Sequence, residues 1–140
     1  MKLCLVPLGV LAAVSILAAQ TQQTFKARLS PVPIDAQLAP VITGHGMVSA
    51  VLTGSKLAVT GTFEGMHSPA TAAHLHESKM TGVRGVMIHE LTVSKSPAGN
   101  VSGSVELTPA EVEALRKGLL YVVVHSEGAP DGNLWGWLLK

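Results

Sequence analysis

Cysteine is nearly absent: Cys4 is the only one in 140 residues. It lies inside an apolar leader, so the mature chain holds no disulfide, no thiolate metal site and no cysteine nucleophile. Charge is also scarce. Charged residues make up 14% of the chain, and ten Lys+Arg stand against nine Asp+Glu. A nucleic-acid binder shows a basic surplus or stripe, and none is present. Aromatics are few at 4%, while 47% of residues are hydrophobic, too many for a disordered chain. The length suits one ordinary domain.

One long apolar run exists, and it reads as a secretory signal peptide over residues 1–19. Lys2 is the positive start, Leu3 to Leu17 is apolar apart from Ser15, and Ala18-Ala19 precede Gln20-Thr21-Gln22-Gln23. A membrane anchor wants about 20 apolar residues, more than this run offers. The expected location is therefore secreted or periplasmic, with no membrane contact after cleavage. Loss of Lys2 leaves nine basic and nine acidic residues, and all six histidines remain.

Residues 20–24 form a polar lead-in, and Pro31, Pro33 and Pro40 mark an extended, turn-rich stretch. From there a single domain over 25–140 is dominated by period-two segments. Leu57, Val59, Gly61 and Phe63 alternate with Ala58, Thr60 and Thr62, and Val101 to Leu107 alternates in the same way. Met47 to Leu52, Ala72 to His76, Val86 to Leu91, Leu119 to His125 and Leu134 to Leu139 are further strand candidates. One helix is signalled near 109–117. Thr108 is its cap, Pro109 its first residue, Glu111 closes a capping box, and Gly118 ends it. Short strands with one connecting helix predict an all-β Greek-key sandwich or barrel.

The residues that can carry chemistry are histidines. In His74-Leu75-His76, residues two apart on a strand project from one face, with roots about 7 Å apart. His125 ends an apolar strand on which Tyr121, Val123 and His125 share a face. If the two strands are neighbours, three imidazoles meet, a donor set that suits Cu(II) or Zn(II). The alternative is that these histidines are structural.

At these residues the chain resembles the chordin-type (CHRD) domain family. The resemblance rests on Phe25-x-Ala27-x-Leu29, Thr71-Ala72-Ala73-His74-Leu75-His76, Leu115-x-x-Gly118-x-x-Tyr121-x-x-x-His125 and Pro130-x-Gly132-x-Leu134-x-Gly136-x-Leu138. Asn133, Trp135 and Trp137 stand where that family usually has Glu, Arg and Gln. CHRD domains in larger extracellular proteins imply an interaction module with an extracytoplasmic protein partner. A fainter resemblance is to copper–zinc superoxide dismutases, through Val59-Thr60-Gly61-Thr62-Phe63-Glu64-Gly65, His74-Leu75-His76-Glu77 and Val123-Val124-His125. It implies a superoxide-dismutase-like fold and a copper ion on His74, His76 and His125, with His89 as a fourth ligand.

The same comparison argues against an enzyme. Between His76 and His89 there is no further histidine and no aspartate, so a zinc loop is missing. No arginine follows His125 to steer an anion, and the near-neutral chain gives no steering field. The primary expectation is a copper-binding protein in copper handling or as a redox accessory; the first alternative is a non-catalytic interaction module with structural histidines, the second a superoxide-dismutase-like copper enzyme.

Other candidates have simpler readings. His45 reads as a solvated turn residue, and His67 lies close in sequence to the site. Met66, Met80 and Met87 offer thioethers to Cu(I) or fill the core. Glu77 and Glu90 are placed to orient a ligand's second nitrogen or to stand exposed. Trp135 and Trp137 share a face, either packed half-buried against the helix or forming an aromatic contact surface.

Overall fold

The structure is a computed structural model that describes residues 20–140; the signal segment expected at 1–19, with Cys4, lies outside the described residues. Eight strands close into one antiparallel barrel. They are β1 (Gln22–Pro31), β2 (His45–Thr53), β3 (Lys56–Glu64), β4 (Ala70–Glu77), β5 (Val86–Val93), β6 (Gly99–Glu106), β7 (Leu120–Ser126) and β8 (Leu134–Trp137), with one helix, α1 (Pro109–Arg116), between β6 and β7.

The spatial order is β1-β2-β3-β6-β5-β4-β7-β8, and β8 returns to pair with β1. Strands β4, β5 and β6 are successive neighbours, with β3 beside β6 and β7 beside β4. That order contains two overlapping Greek keys, as the strand-and-turn pattern predicted. The ring is closed, but two seams are short: β5 pairs with β6 only at Thr92 and Val93, and β1 with β8 only at Ser30 and Pro31.

Alternation along each strand builds the core. Phe25, Ala27 and Leu29 of β1, Leu57, Val59 and Phe63 of β3, and Leu120, Val122 and Val124 of β7 all point inward and are buried. Helix α1 plugs one end with Val112 and Leu115. Its start is the predicted capping box: the Thr108 hydroxyl accepts from Glu111 N–H, and the Glu111 carboxylate accepts from Thr108 N–H.

Strand β1 was not foreseen as a strand. It begins at Gln22, inside the polar run, because every second residue from Phe25 still faces the core. Its seam with β8 is short, Ser30 opposite Trp135 and Pro31 opposite Leu134. Gly136 makes that approach feasible, since a Cβ there would lie 2.5 Å from the Arg28 carbonyl oxygen.

Candidate metal centre

Strand β4 lies between β5 and β7, which settles the adjacency that the sequence left open. Leu75 points into the core and is fully buried, so His74 and His76 project from the outer face of the barrel. On β7 the inward set Leu120, Val122 and Val124 leaves Tyr121, Val123 and His125 on that same outer face. Ala72 is opposite His125, His74 opposite Val123 and His76 opposite Tyr121. His125 therefore reaches His74 along a diagonal.

The three imidazoles come together. His74, His76 and His125 offer ligand atoms that all lie within 4.8 Å of one another, and all three residues are half-buried. The Nδ1 of His74 is 3.1 Å from the Nε2 of His125. Two nitrogens bound at tetrahedral angles to one ion at about 2.0 Å would be about 3.3 Å apart. Ring centroids are 4.7 Å apart for His74 and His125, and 6.0 Å for His74 and His76.

Backbone carbonyls aim the rings. The Nδ1–H of His125 donates to the Pro130 carbonyl at 2.8 Å, which leaves the Nε2 lone pair facing His74. His76 Nδ1 sits 3.4 Å from the Gly85 carbonyl and 3.4 Å from the Tyr121 hydroxyl. A proton on Nδ1 directs the Nε2 lone pair away from both. That Nε2 is buried and has no hydrogen-bond partner, an arrangement that a ligand would resolve. The residues present thus fit a metal ion that accepts nitrogen donors.

Each carbonyl is itself fixed. Asn133, fully buried, accepts from the Ser126 hydroxyl at 2.8 Å and donates to the Thr43 carbonyl at 2.8 Å, pinning the β7–β8 turn that carries Pro130. Gly85 presses so closely on β4 that a Cβ there would lie 1.8 Å from the Glu77 carbonyl oxygen. That approach lets its N–H donate to Tyr121 Oη at 2.7 Å.

The electrostatics favour neutral imidazoles. Partial burial, with the neighbouring His125, holds the His74 pKa below the usual histidine value, opposed by Glu90. Burial also lowers the His76 pKa, against the Gly85 hydrogen bond, with His125, His74 and Arg84 adding to the lowering. A neutral imidazole is the form that binds a metal.

Aromatic rings wall one side. Tyr121 stacks on Trp137 at 4.5 Å, and Trp135 meets Trp137 edge-on at 4.6 Å. The tryptophans are half-buried against Tyr121 on the outer face, a third arrangement beside the two expected for them. The cause is the pairing of β8 with β7, which sets Trp137 opposite Tyr121.

His89 is not brought to this cluster. It is opposite Leu75, on the inward-facing register, and its Nε2 is 3.0 Å from a Glu111 carboxylate oxygen at the start of α1. Burial alone would raise the Glu111 pKa. The His89 and Thr108 hydrogen bonds and the His89 charge outweigh it and hold the carboxyl below its ordinary value. His45 opens β2 rather than a turn and meets Glu64 at 3.0 Å, exposed. His67 is exposed in the loop before β4. Glu77 and Glu90 do not hold the second nitrogens of His76 and His125; the Gly85 and Pro130 carbonyls do. Sequence reasoning missed Gly85, Pro130 and the Tyr121 hydroxyl, and the dense Gly/Pro turns flanking β5 and β8 were the signal available.

Among the described residues, no helix is long and apolar enough to cross a membrane. The CHRD domain family model matches residues 25–138, every strand but the first residues of β1. Neither the curated proteins nor the solved structures contain a match to the chain.

Proposed function

This chain belongs to the CHRD domain family, and on that premise we propose that it is a secreted or periplasmic module that binds one copper ion through His74, His76 and His125. The observation that carries the reading is the convergence of three imidazoles, whose ligand atoms lie within 4.8 Å of one another, together with the buried and unpartnered Nε2 of His76. Nitrogen donors without thiolate suit copper or zinc, and copper takes most open competitions for such a site. The protein's own contribution is orientation. The Pro130 and Gly85 carbonyls fix which nitrogen faces inward, and the aromatic wall of Tyr121 and Trp137 keeps water from one side. When bound, the ion supplies one-electron chemistry or serves as cargo, so the role is copper handling or a redox accessory.

The test is metal content of protein purified from an extracytoplasmic compartment, with His125→Ala beside it. One copper per chain, absent in the variant, is the expected result. No copper in either, and none taken up on titration, would overturn the reading.

A second reading is a non-catalytic interaction module with an extracytoplasmic protein partner, favoured by the family and by the exposed apolar residues Val83 and Val86 beside the site. Partner capture that persists after all three histidines are replaced would favour it over copper binding.

A further inference from the structure

The antiparallel register lays two rows of side chains across the outer face of four adjacent strands. One row runs Met87, His76, Tyr121, Trp137; the other runs Glu90, His74, Val123, Trp135. Tyr121 and the tryptophans close the β8 side of the histidine cluster, while the β5 side carries Met87 and Glu90.

From this placement we infer that the histidine centre takes copper as Cu(I), with the thioether of Met87 as its fourth donor. This rests on the proposed copper reading and names the oxidation state of the cargo.

Three observations converge on Met87. It is directly opposite His76, the ligand whose Nε2 is buried without a partner. Cross-strand neighbours have Cβ atoms about 5 Å apart, within reach of an unbranched side chain with three rotatable bonds. It is also 50% exposed, so it is not spent on packing and can swing over the site at small cost. A thioether is a soft donor that selects Cu(I) over Cu(II) and Zn(II). The aromatic wall opposite offers no hard oxygen donor except the Tyr121 hydroxyl, which is already held by Gly85. Glu90 lies opposite His74 and is the rival donor, a carboxylate that favours harder ions.

The structure also separates Met87 from the other two methionine candidates. Met66 is 5% exposed within the core. Met80 is 65% exposed in the β4–β5 connection, outside both rows.

The experiment is an anaerobic Cu(I) titration against the chromogenic chelator bicinchoninate, paired with a Cu(II) titration against glycine. It uses the unaltered chain, Met87→Leu and Met80→Leu. Leucine preserves volume at an exposed site, so both variants fold. Met87→Leu is expected to weaken Cu(I) binding at least about tenfold, as loss of a partner at a metal site does. Its Cu(II) affinity stays within about twofold, and Met80→Leu matches the unaltered chain in both. X-ray absorption of the Cu(I) form then shows a sulfur neighbour that Met87→Leu lacks. If copper binds through the histidines but Met87→Leu leaves Cu(I) affinity unchanged, or if Met80→Leu alone lowers it, the Met87 assignment falls and the copper reading stands. If the unaltered chain takes up neither oxidation state, both fall.

Discussion

His74 and His125 are 51 residues apart in the chain, yet His74 Nδ1 lies 3.1 Å from His125 Nε2. Because the His125 Nδ1–H is given to Pro130, its Nε2 accepts, and the proton between the rings belongs to His74. A metal ion bound at this position would replace that shared proton. Alanine at His74, His76 or His125 is therefore expected to abolish stoichiometric copper uptake, read by titration and by metal analysis. A variant that keeps one tightly held copper would show that the lost imidazole is not a ligand.

His89→Ala separates the cluster from its neighbour. Its partner is the half-buried Glu111 carboxylate, not the other histidines. Copper stoichiometry should not change, while urea denaturation should show a loss of about 1.5–3 kcal/mol from one hydrogen bond to a charged group. Loss of copper with unchanged stability would reverse this assignment.

Glu111 sets an acid limit. Its folded pKa lies below the ordinary 4.5, so the folded state binds its proton more weakly than the unfolded state. The contribution is complete above about 4.5 and is lost as pH falls through the lower, folded value. Thermal melts across that range should fall more steeply for the unaltered protein than for Glu111→Gln, which lacks the titrating group. Parallel curves would remove Glu111 as a source of acid sensitivity.

Gly85→Ala is a test of orientation without touching a ligand. The added Cβ collides with the Glu77 carbonyl, so the segment must withdraw from Tyr121 and His76. Copper affinity should drop about 10- to 100-fold, as for other changes behind a ligand, with the three histidines intact. An unchanged affinity in a folded variant would mean the carbonyl at Gly85 does not aim His76.

Leu75→Ala probes the support between the two ligands. Leu75 is fully buried, and its truncation should cost about 2–5 kcal/mol in chemical denaturation. A cost below about 1 kcal/mol would mean that the wall behind the histidines collapses readily.

Much of this was legible in the residues. The Thr108–Glu111 capping box placed the helix to within a residue, because its signals are local. Alternation put His74 with His76, and Tyr121 with His125, on shared faces. Three things were hidden. Strand β1 opens on polar residues and ends in Pro31, so its inward alternation was masked at both ends. The phase of β5 shifts at an irregularity opposite Leu75 and His76, and no spacing rule could say which face His89 would take. The dense Gly/Pro turns marked where Gly85 and Pro130 lie, but a backbone carbonyl carries no side-chain signature, so its aim emerges from the closed barrel.

The seam between β1 and β8 gives the assembly of the barrel a direction in time. During synthesis β1 emerges early and β8 last, and each is the other's neighbour. Until residues 134–137 arrive, β1 and β7 both present unpaired edges open to foreign strands. The wall that shelters His76 and the turn that aims His125 are completed at the same late moment. A chain cut before Leu134 would thus lose its protection against aggregation and the arrangement of its three histidines in a single event.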